Sequence, residues 1–268
     1  MLNEIEASDY FKKLTIGNTT PSTTPFIAVA QSQGYVCKLY EEDLGNLHLI
    51  NEYVCFHLAK LLDLPIPEAS LIRITPDVIS SSPDLSTRNI TSTLAFGSQL
   101  VNNVQTNINP PLLDKCSNAQ IIPSLVLFDQ IILNRDRATN DGNLLFNTKT
   151  KELIVIDHSH VFEHGTIWDV NTLKQVENQL LVENFDKKYY RMLIRYINGY
   201  NPFASTILKI SNITEEKINE IVNSIPEEWN LDSAASQALI SFIMHRLNLV
   251  PHILSAMFDR CPQWKGVV

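Results

Sequence analysis

Between Asn134 and Ser159 the chain sets an Asp, an Asn and a second Asp around two short apolar runs. Leu144-Leu145-Phe146 and Leu153 to Ile156 read as strands, and Asn147-Thr148-Lys149-Thr150 reads as the turn between them. A hairpin brings its two ends together, so Asn143 and Asp157 are expected side by side, with Asp136 over the same spot. An Asp that positions an acceptor hydroxyl, then an Asn and an Asp that hold magnesium on nucleotide phosphates, is the order of kinase chemistry. Asp157 closes an apolar strand, where a carboxylate is costly unless paired or metal-bound. Asn and Asp both offer the oxygen ligands that magnesium takes. The three residues together point to ATP-dependent phosphoryl transfer.

Other residues join them on weaker grounds. Lys38 lies between apolar neighbours on a strand, and Glu52 follows at the head of the next helix. A strand lysine paired with a helix glutamate is the kinase device for holding the α- and β-phosphates; an outward-facing lysine or a surface ion pair would use the same residue types. Asp136 has a second reading as a loop carboxylate paired to Arg135 or Arg137, and Arg137 as a residue that keeps the loop compact. Asn143 has a second reading as a turn residue of Asn-Asp-Gly-Asn. His158, His160 and His164 raise the alternative of a transition-metal site, against local packing and hydrogen bonding. The hydroxyl-rich run Gly17 to Thr24 could cover phosphates through backbone N–H groups, but it has no Walker pattern.

The elements that must position these residues follow from periodicity. Pro25 to Ala30 and Tyr35 to Tyr40 form a hairpin around a turn at 31–34. Leu49, Ile50, Tyr53, Val54, Leu58, Leu61 and Leu62 recur at helical spacing until Pro65 and Pro67 end the helix. Glu68 to Ile74 is a strand, Thr75 to Thr87 a Ser/Pro/Asp-rich loop, and Ile90 to Phe96 a strand punctuated by Gly97-Ser98. The segment up to Asn109-Pro110-Pro111 connects two parts, residues 1–109 and 110–268. An apolar helix from Asn118 to Leu133 then leads into the catalytic stretch. Amphipathic segments at 172–182, 186–198, 214–224 and 232–258 fill the remainder, with Thr214 and Asp232 as helix starts and Pro251 dividing the last. Strands first and helices after make a two-layer α+β plan.

Composition narrows the class. The 268 residues are 44% hydrophobic and suffice for one large core or two lobes. Four cysteines without a C-x-x-C pair argue against a disulfide framework or zinc ribbon and suit a reducing cytoplasm. The N-terminus lacks the basic and apolar regions of a signal peptide, and no apolar run reaches the length of a membrane span. A net charge of -8 argues against a broad nucleic-acid-binding face.

With these residues placed, the chain resembles the HipA-like kinases, a branch of the protein-kinase-like fold that also resembles phosphatidylinositol kinases. The likeness runs through Gly34-Tyr35-Val36-Cys37-Lys38, Asn51-Glu52 and Leu61-Leu62-Asp63-Leu64-Pro65-Ile66-Pro67-Glu68. It continues in Phe96-Gly97-Ser98, Phe128-Asp129, Asn134-Arg135-Asp136-Arg137 and Ile156-Asp157-His158-Ser159, and reaches Ile225 to Trp229 and His245-Arg246. It is closer to short single-kinase-domain members than to longer toxin proteins with an extra N-terminal subdomain. The resemblance implies a bilobal fold with a small strand-rich N-lobe and a mainly helical C-lobe, binding ATP between them. It implies Lys38 on the phosphates with Glu52 as its partner, Asp136 as the catalytic Asp, and Asn143 and Asp157 as ligands of magnesium (Mg2+). It also implies a Ser/Thr protein acceptor, by analogy with toxin relatives one of the translation machinery, and autophosphorylation.

Two departures bear on activity. Family members place the Asn about five residues after the catalytic Asp, whereas Asn143 comes seven after Asp136 and Asn140 four after. Asp-His-Ser also stands where protein kinases have Asp-Phe-Gly. The readings are therefore an active kinase, a pseudokinase serving as a nucleotide-binding or protein-interaction module, and a lipid kinase, for which no basic cluster or membrane-binding helix is evident. No pattern identifies an acceptor, a regulator or an antitoxin partner.

Overall fold

The chain begins with two short strands, β1 (Glu4–Glu6) and β2 (Asp9–Lys13), which the sequence reading passes over because their side chains are mostly polar and exposed. In the computed structural model, residues 1–14, 23–138 and 140–266 are described, with backbone alone at Asn140 and Asp141. Of the run Gly17 to Thr24, suggested above as a phosphate cover, residues 17–22 lie outside them. The hairpin follows as β3 (Phe26–Ala30) and β4 (Gln33–Glu41), joined by Gln31 and Ser32, both in the left-handed region. Helix α1 (Leu47–Leu61) crosses to β5 (Ala69–Arg73).

Two expectations fail in the next stretch. The Ser/Pro/Asp-rich segment after β5 holds a helix, α2 (Pro76–Ser81), with Thr75 capping the Val78 N–H and Pro76 at its first position. Gly97 does not end the following strand: β6 runs through it (Ile90–Gln99). A Cβ at Gly97 would sit 2.3 Å from Ile72 Cγ1 on the neighbouring strand, so glycine there permits close cross-strand approach. The six strands order as β1-β5-β6-β4-β3-β2, antiparallel apart from β1 beside β5.

The connecting segment contains β7 (Val104–Gln105), which pairs with the hairpin between Asn143 and Asp157 rather than with the first sheet. After α3 (Pro110–Leu113) and α4 (Ile122–Ile131) come β8 (Leu144–Asn147) and β9 (Leu153–Val155), in the order β7-β8-β9. The helices α5 (Val170–Val176), α6 (Lys188–Leu193), α7 (Ala204–Ser211), α8 (Glu215–Asn223), α9 (Ser233–Asn248) and α10 (Val250–Phe258) complete the chain. Thr214 and Asp232 cap α8 and α9, and Pro251 opens α10. Helix α7 has no counterpart among the amphipathic segments read from the sequence: Ile207 and Leu208 are exposed, and only Thr206 and Ile210 are buried. A strand-rich N-terminal sheet and a helical C-terminal part make this an α+β fold.

One core joins the two parts. The face of α1 carrying Leu49, Ile50, Tyr53 and Val54 packs with α4, with Phe96 of β6 and with the C-terminal helices. A smaller cluster, centred on Phe26, Cys37, Leu39 and Ile72, fills the other side of the sheet. Trp229, fully buried between α8 and α9, donates from Nε1 to Leu94 O at 2.8 Å and meets Tyr53 edge-on at 5.9 Å between centroids. Among the described residues, no single helix is long and apolar enough to cross a membrane.

Candidate active site

Lys38 lies on β4 opposite Phe96 of β6, with its side chain directed inward and 7% exposed. Glu52 comes from α1, also at 7%, and the two meet at 2.5 Å. Helix α1 is held to β4 at this level by His48, whose Nε2 lies 3.0 Å from Leu39 O. Asn51, the neighbour of Glu52, is fully buried; its Nδ2 donates to Ser159 O at 2.6 Å and Gly165 O at 2.9 Å, and its Oδ1 accepts from Trp168 Nε1 at 2.8 Å. Glu52 is thus fixed to the sheet on one side and to the segment after Asp157 on the other.

The hairpin between Asn143 and Asp157 forms as its pattern predicts. Leu144 pairs with Val155, and beyond the strands the Ile156 N–H donates to Asn143 O at 3.1 Å. Asn143 and Asp157 both adopt left-handed backbone, with φ of 46° and 56°, a conformation Asn and Asp tolerate better than most residues. Asn143 Nδ2 donates to Asp136 Oδ2 at 2.9 Å and to Asp157 O at 3.4 Å. The seven-residue spacing is absorbed by two short 3-10 turns, Asp136–Ala138 and Asn140–Asn143, which return Asn143 to Asp136. The side chain of Asn140 lies outside the description.

Lys38 joins the two halves of the site. Its Nζ donates to Asp157 Oδ1 at 2.8 Å and to Ser159 Oγ at 2.6 Å, besides Glu52. The Ser159 hydroxyl in turn donates to Glu52 Oε1 at 3.1 Å, and the His158 N–H reaches Glu52 Oε2 at 3.1 Å. Burial pushes the Asp157 carboxyl up, but the Lys38 ammonium and the Ser159 N–H outweigh it and hold it well below the ordinary carboxylate range. Burial works against the charge on Lys38, and Asp157 and Glu52 overcome it, so its pKa lies above that of a free lysine. Asp157 keeps 36% of its side chain exposed, far more than its two buried partners.

Behind the loop sits a buried pair. Arg137 donates from Nε and Nη2 to the two oxygens of Asp129 on α4, at 2.8 and 3.0 Å, with neither side chain exposed. Its Nη1 donates to Gly142 O and Asn143 O, both at 2.8 Å. Asn134 completes the frame: its Nδ2 donates to Asp129 at 2.9 Å, and its Oδ1 accepts from the Asp136 and Arg137 N–H groups at 3.1 and 3.3 Å. Arg135 pairs outward with Glu163 and Glu183, so both arginines find their carboxylates away from Asp136. Sequence reasoning missed the role of Asp129; the available signal was a lone carboxylate inside the apolar run Ile122–Ile131.

His158 is buried, 3.4 Å from Arg137 Nη2, and burial followed by the Arg137 charge pushes its pKa down to about 3. Among the described residues no group of three or more His, Cys, Asp or Glu is arranged to hold a metal ion. The partly exposed Asp157 carboxylate and the nearby Asn143 amide offer oxygen donors, the ligand type that a hard divalent cation takes.

The fold is that of the protein-kinase-like class. The HipA-like kinase family model matches residues 14–256, and the chain belongs to that family. The crystal structure of a Helicobacter pylori proinflammatory kinase, CtkA, superposes with a TM-score of 0.55 at 14% identity, over 96% of this chain and 99% of that one. That likeness shows the fold. The Golgi casein kinase with Mn/ADP bound is more distant, with a TM-score of 0.45 at 14% identity over 96% of this chain and 75% of its own. No curated protein matches the sequence.

Proposed function

We propose that the chain is an ATP- and magnesium-dependent phosphotransferase acting on a protein Ser/Thr hydroxyl. The observation that carries this reading is the convergence of Lys38, Glu52 and Asp157 on one point, with Asn143 and Asp136 beside it. Lys38 is the phosphate ligand, charged and aimed by Glu52. Asp157 and Asn143 supply oxygen ligands to magnesium, which when bound neutralises charge on the nucleotide phosphates. Asp136, held through Asn143 and the Asn134 side chain, accepts the hydrogen bond of the acceptor hydroxyl, orients it for in-line attack and takes its proton late in transfer. We place the boundary between the lobes at residues 109 and 110. The four free cysteines suit a reducing cytoplasm as the working compartment.

Incubation with magnesium and γ-labelled ATP, beside Asp136→Ala and Asp157→Ala, tests this. Label on the protein or on an added acceptor, or ATP turnover lost in both variants, is the expected result. Nucleotide binding with no turnover across a panel of protein acceptors would favour the pseudokinase reading, which the lengthened Asp136–Asn143 spacing motivates. Absence of nucleotide binding would sink both.

A further inference from the structure

The run Lys187 to Arg195, Lys-Lys-Tyr-Tyr-Arg-Met-Leu-Ile-Arg, is a basic cluster that the sequence pattern alone does not reveal, and it sorts by chemistry onto two faces. Tyr189, Tyr190, Met192, Leu193 and Ile194 are buried, and every exposed position, Lys187, Lys188, Arg191 and Arg195, is a cation. The chain as a whole carries a net charge of -8, so this face stands against its surroundings. Among the described residues none of the four forms an ion pair. The nearest acids before α6, Glu183 and Asp186, are taken by Arg135 and Arg260. Like charges at this spacing repel along a helix, so the face gains from an anionic partner.

The buried face places that surface. The Tyr190 hydroxyl donates to Asn134 O at 2.6 Å, and Tyr189 lies against Gly142, where a Cβ would come within 3.0 Å of its ring. Lys188 Nζ sits 4.7 Å above the centroid of the Tyr189 ring. The helix that carries the cationic face therefore packs on the loop that carries Asp136 and Asn143.

We propose that this face docks an acidic segment of the phosphate-accepting protein, a reading that rests on the kinase assignment only for what the partner receives. One short helical stripe next to Asp136 matches a few carboxylates flanking an acceptor residue. A nucleic acid would call for a basic groove that tracks many phosphates. The test is fluorescence anisotropy, without nucleotide, of a labelled peptide with one serine flanked by glutamates, compared with its glutamine counterpart. The full-length protein should bind the acidic peptide about 10-fold more tightly at low salt, with the gap closing as salt rises. The Lys187→Glu/Lys188→Glu/Arg191→Glu variant should lose that preference at an unchanged thermal midpoint. The milder Lys187→Gln/Arg191→Gln variant should lower it by roughly 3-fold. A wild type indifferent to the glutamates, or a triple variant that keeps its preference, overturns the proposal. So does a single-stranded oligonucleotide of equal charge that binds as tightly, which would mark a general polyanion surface. Acidic preference without phosphate transfer to any peptide would retain the docking face and sink the kinase reading; transfer without acidic preference would do the reverse.

Discussion

The Lys38 ammonium lies 2.8 Å from the Asp157 carboxylate, and with Glu52 and Ser159 also in contact its three N–H donors are all engaged. A nucleotide phosphate can take a Lys38 donor only where one of these acceptors gives it up. Ser159 is the acceptor that holds no formal charge, so Ser159→Ala frees a donor while leaving both carboxylates in place. The buried donor left open then gains more from a phosphate than the occupied one does. Fluorescent-nucleotide titration in EDTA should show Ser159→Ala binding about 3- to 10-fold more tightly than wild type, a gain equivalent to one ordinary net hydrogen bond. Lys38→Ala should bind weakly with or without magnesium. An unchanged metal-free affinity in Ser159→Ala would show that Ser159 does not compete for the lysine.

The parts of this site that were legible in the sequence are those whose signal is local. The apolar runs on either side of Asn147-Thr148-Lys149-Thr150 specify a hairpin, and a hairpin must bring Asn143 to Asp157. Lys38 and Glu52 were legible as a strand lysine and a helix glutamate, because their elements have clean periodicity. Ser159 and Asp129 were not, because their partners lie 121 residues away at Lys38 and in a loop of unusual length at Arg137. The edge strands β1 and β2 escaped notice because edges are polar, and α2 because Thr75-Pro76 starts a helix with the same residues that make a loop. Gly97 looked like a break and is a packing requirement, which only the Ile72 side chain across the strand pair reveals.

Arg137 and Asp129 support the loop without facing the cleft. Both side chains are fully buried, so removing one partner leaves the other charge uncompensated. Asp129→Ala and Arg137→Ala should each lower unfolding stability by about 3–5 kcal/mol in urea titrations. Arg137→Lys should cost less, about 1–3 kcal/mol, because an ammonium has three donors for the four oxygens now reached by the guanidinium. The same variant should lower phosphate transfer by more than its stability loss explains, since Asn143 O is one of the four oxygens that then compete for three donors. A stable Arg137→Lys protein with full transfer activity would contradict this account of the loop.

Trp229 should matter to the position of α1. It is fully buried, caps the Tyr53 ring and donates to Leu94 O, while Tyr53 itself donates to Ser224 O at 3.0 Å. These contacts clamp the helix that carries Glu52 from its far side. Trp229→Ala should destabilise the protein by about 3–5 kcal/mol. Trp229→Phe keeps an aromatic ring there but leaves Leu94 O without its indole donor, for a smaller loss of about 1–3 kcal/mol. In the phenylalanine variant, a weaker nucleotide affinity with little change in transfer rate at saturation would place the effect at Lys38 and Glu52 rather than at Asp136.

His48 gives the fold an acid limit. It is fully buried, and burial, then the Lys38 charge, push its pKa down to about 4, while His160 and Asp157 are the other titratable groups near enough to act on it. Its folded pKa is therefore below the unfolded value of about 6.5. The unfolded chain binds the proton first, so the contribution of His48 is present above pH 6.5 and is lost as pH falls toward 4. The slope within that window is at most about 1.4 kcal/mol per pH unit, and between pH 7.5 and 5 the loss comes to about 2 kcal/mol. His57 and His158 are also depressed, to about 4 and about 3, and add to the acid lability of the whole protein. The measurement must therefore be a difference. His48→Gln cannot titrate and retains an amide donor for Leu39 O, so it should be less stable than wild type at pH 7.5 and should close that gap at pH 5. Urea unfolding of both proteins at the two pH values checks this, and a gap that stays constant would mean that His48 does not carry the proton linkage.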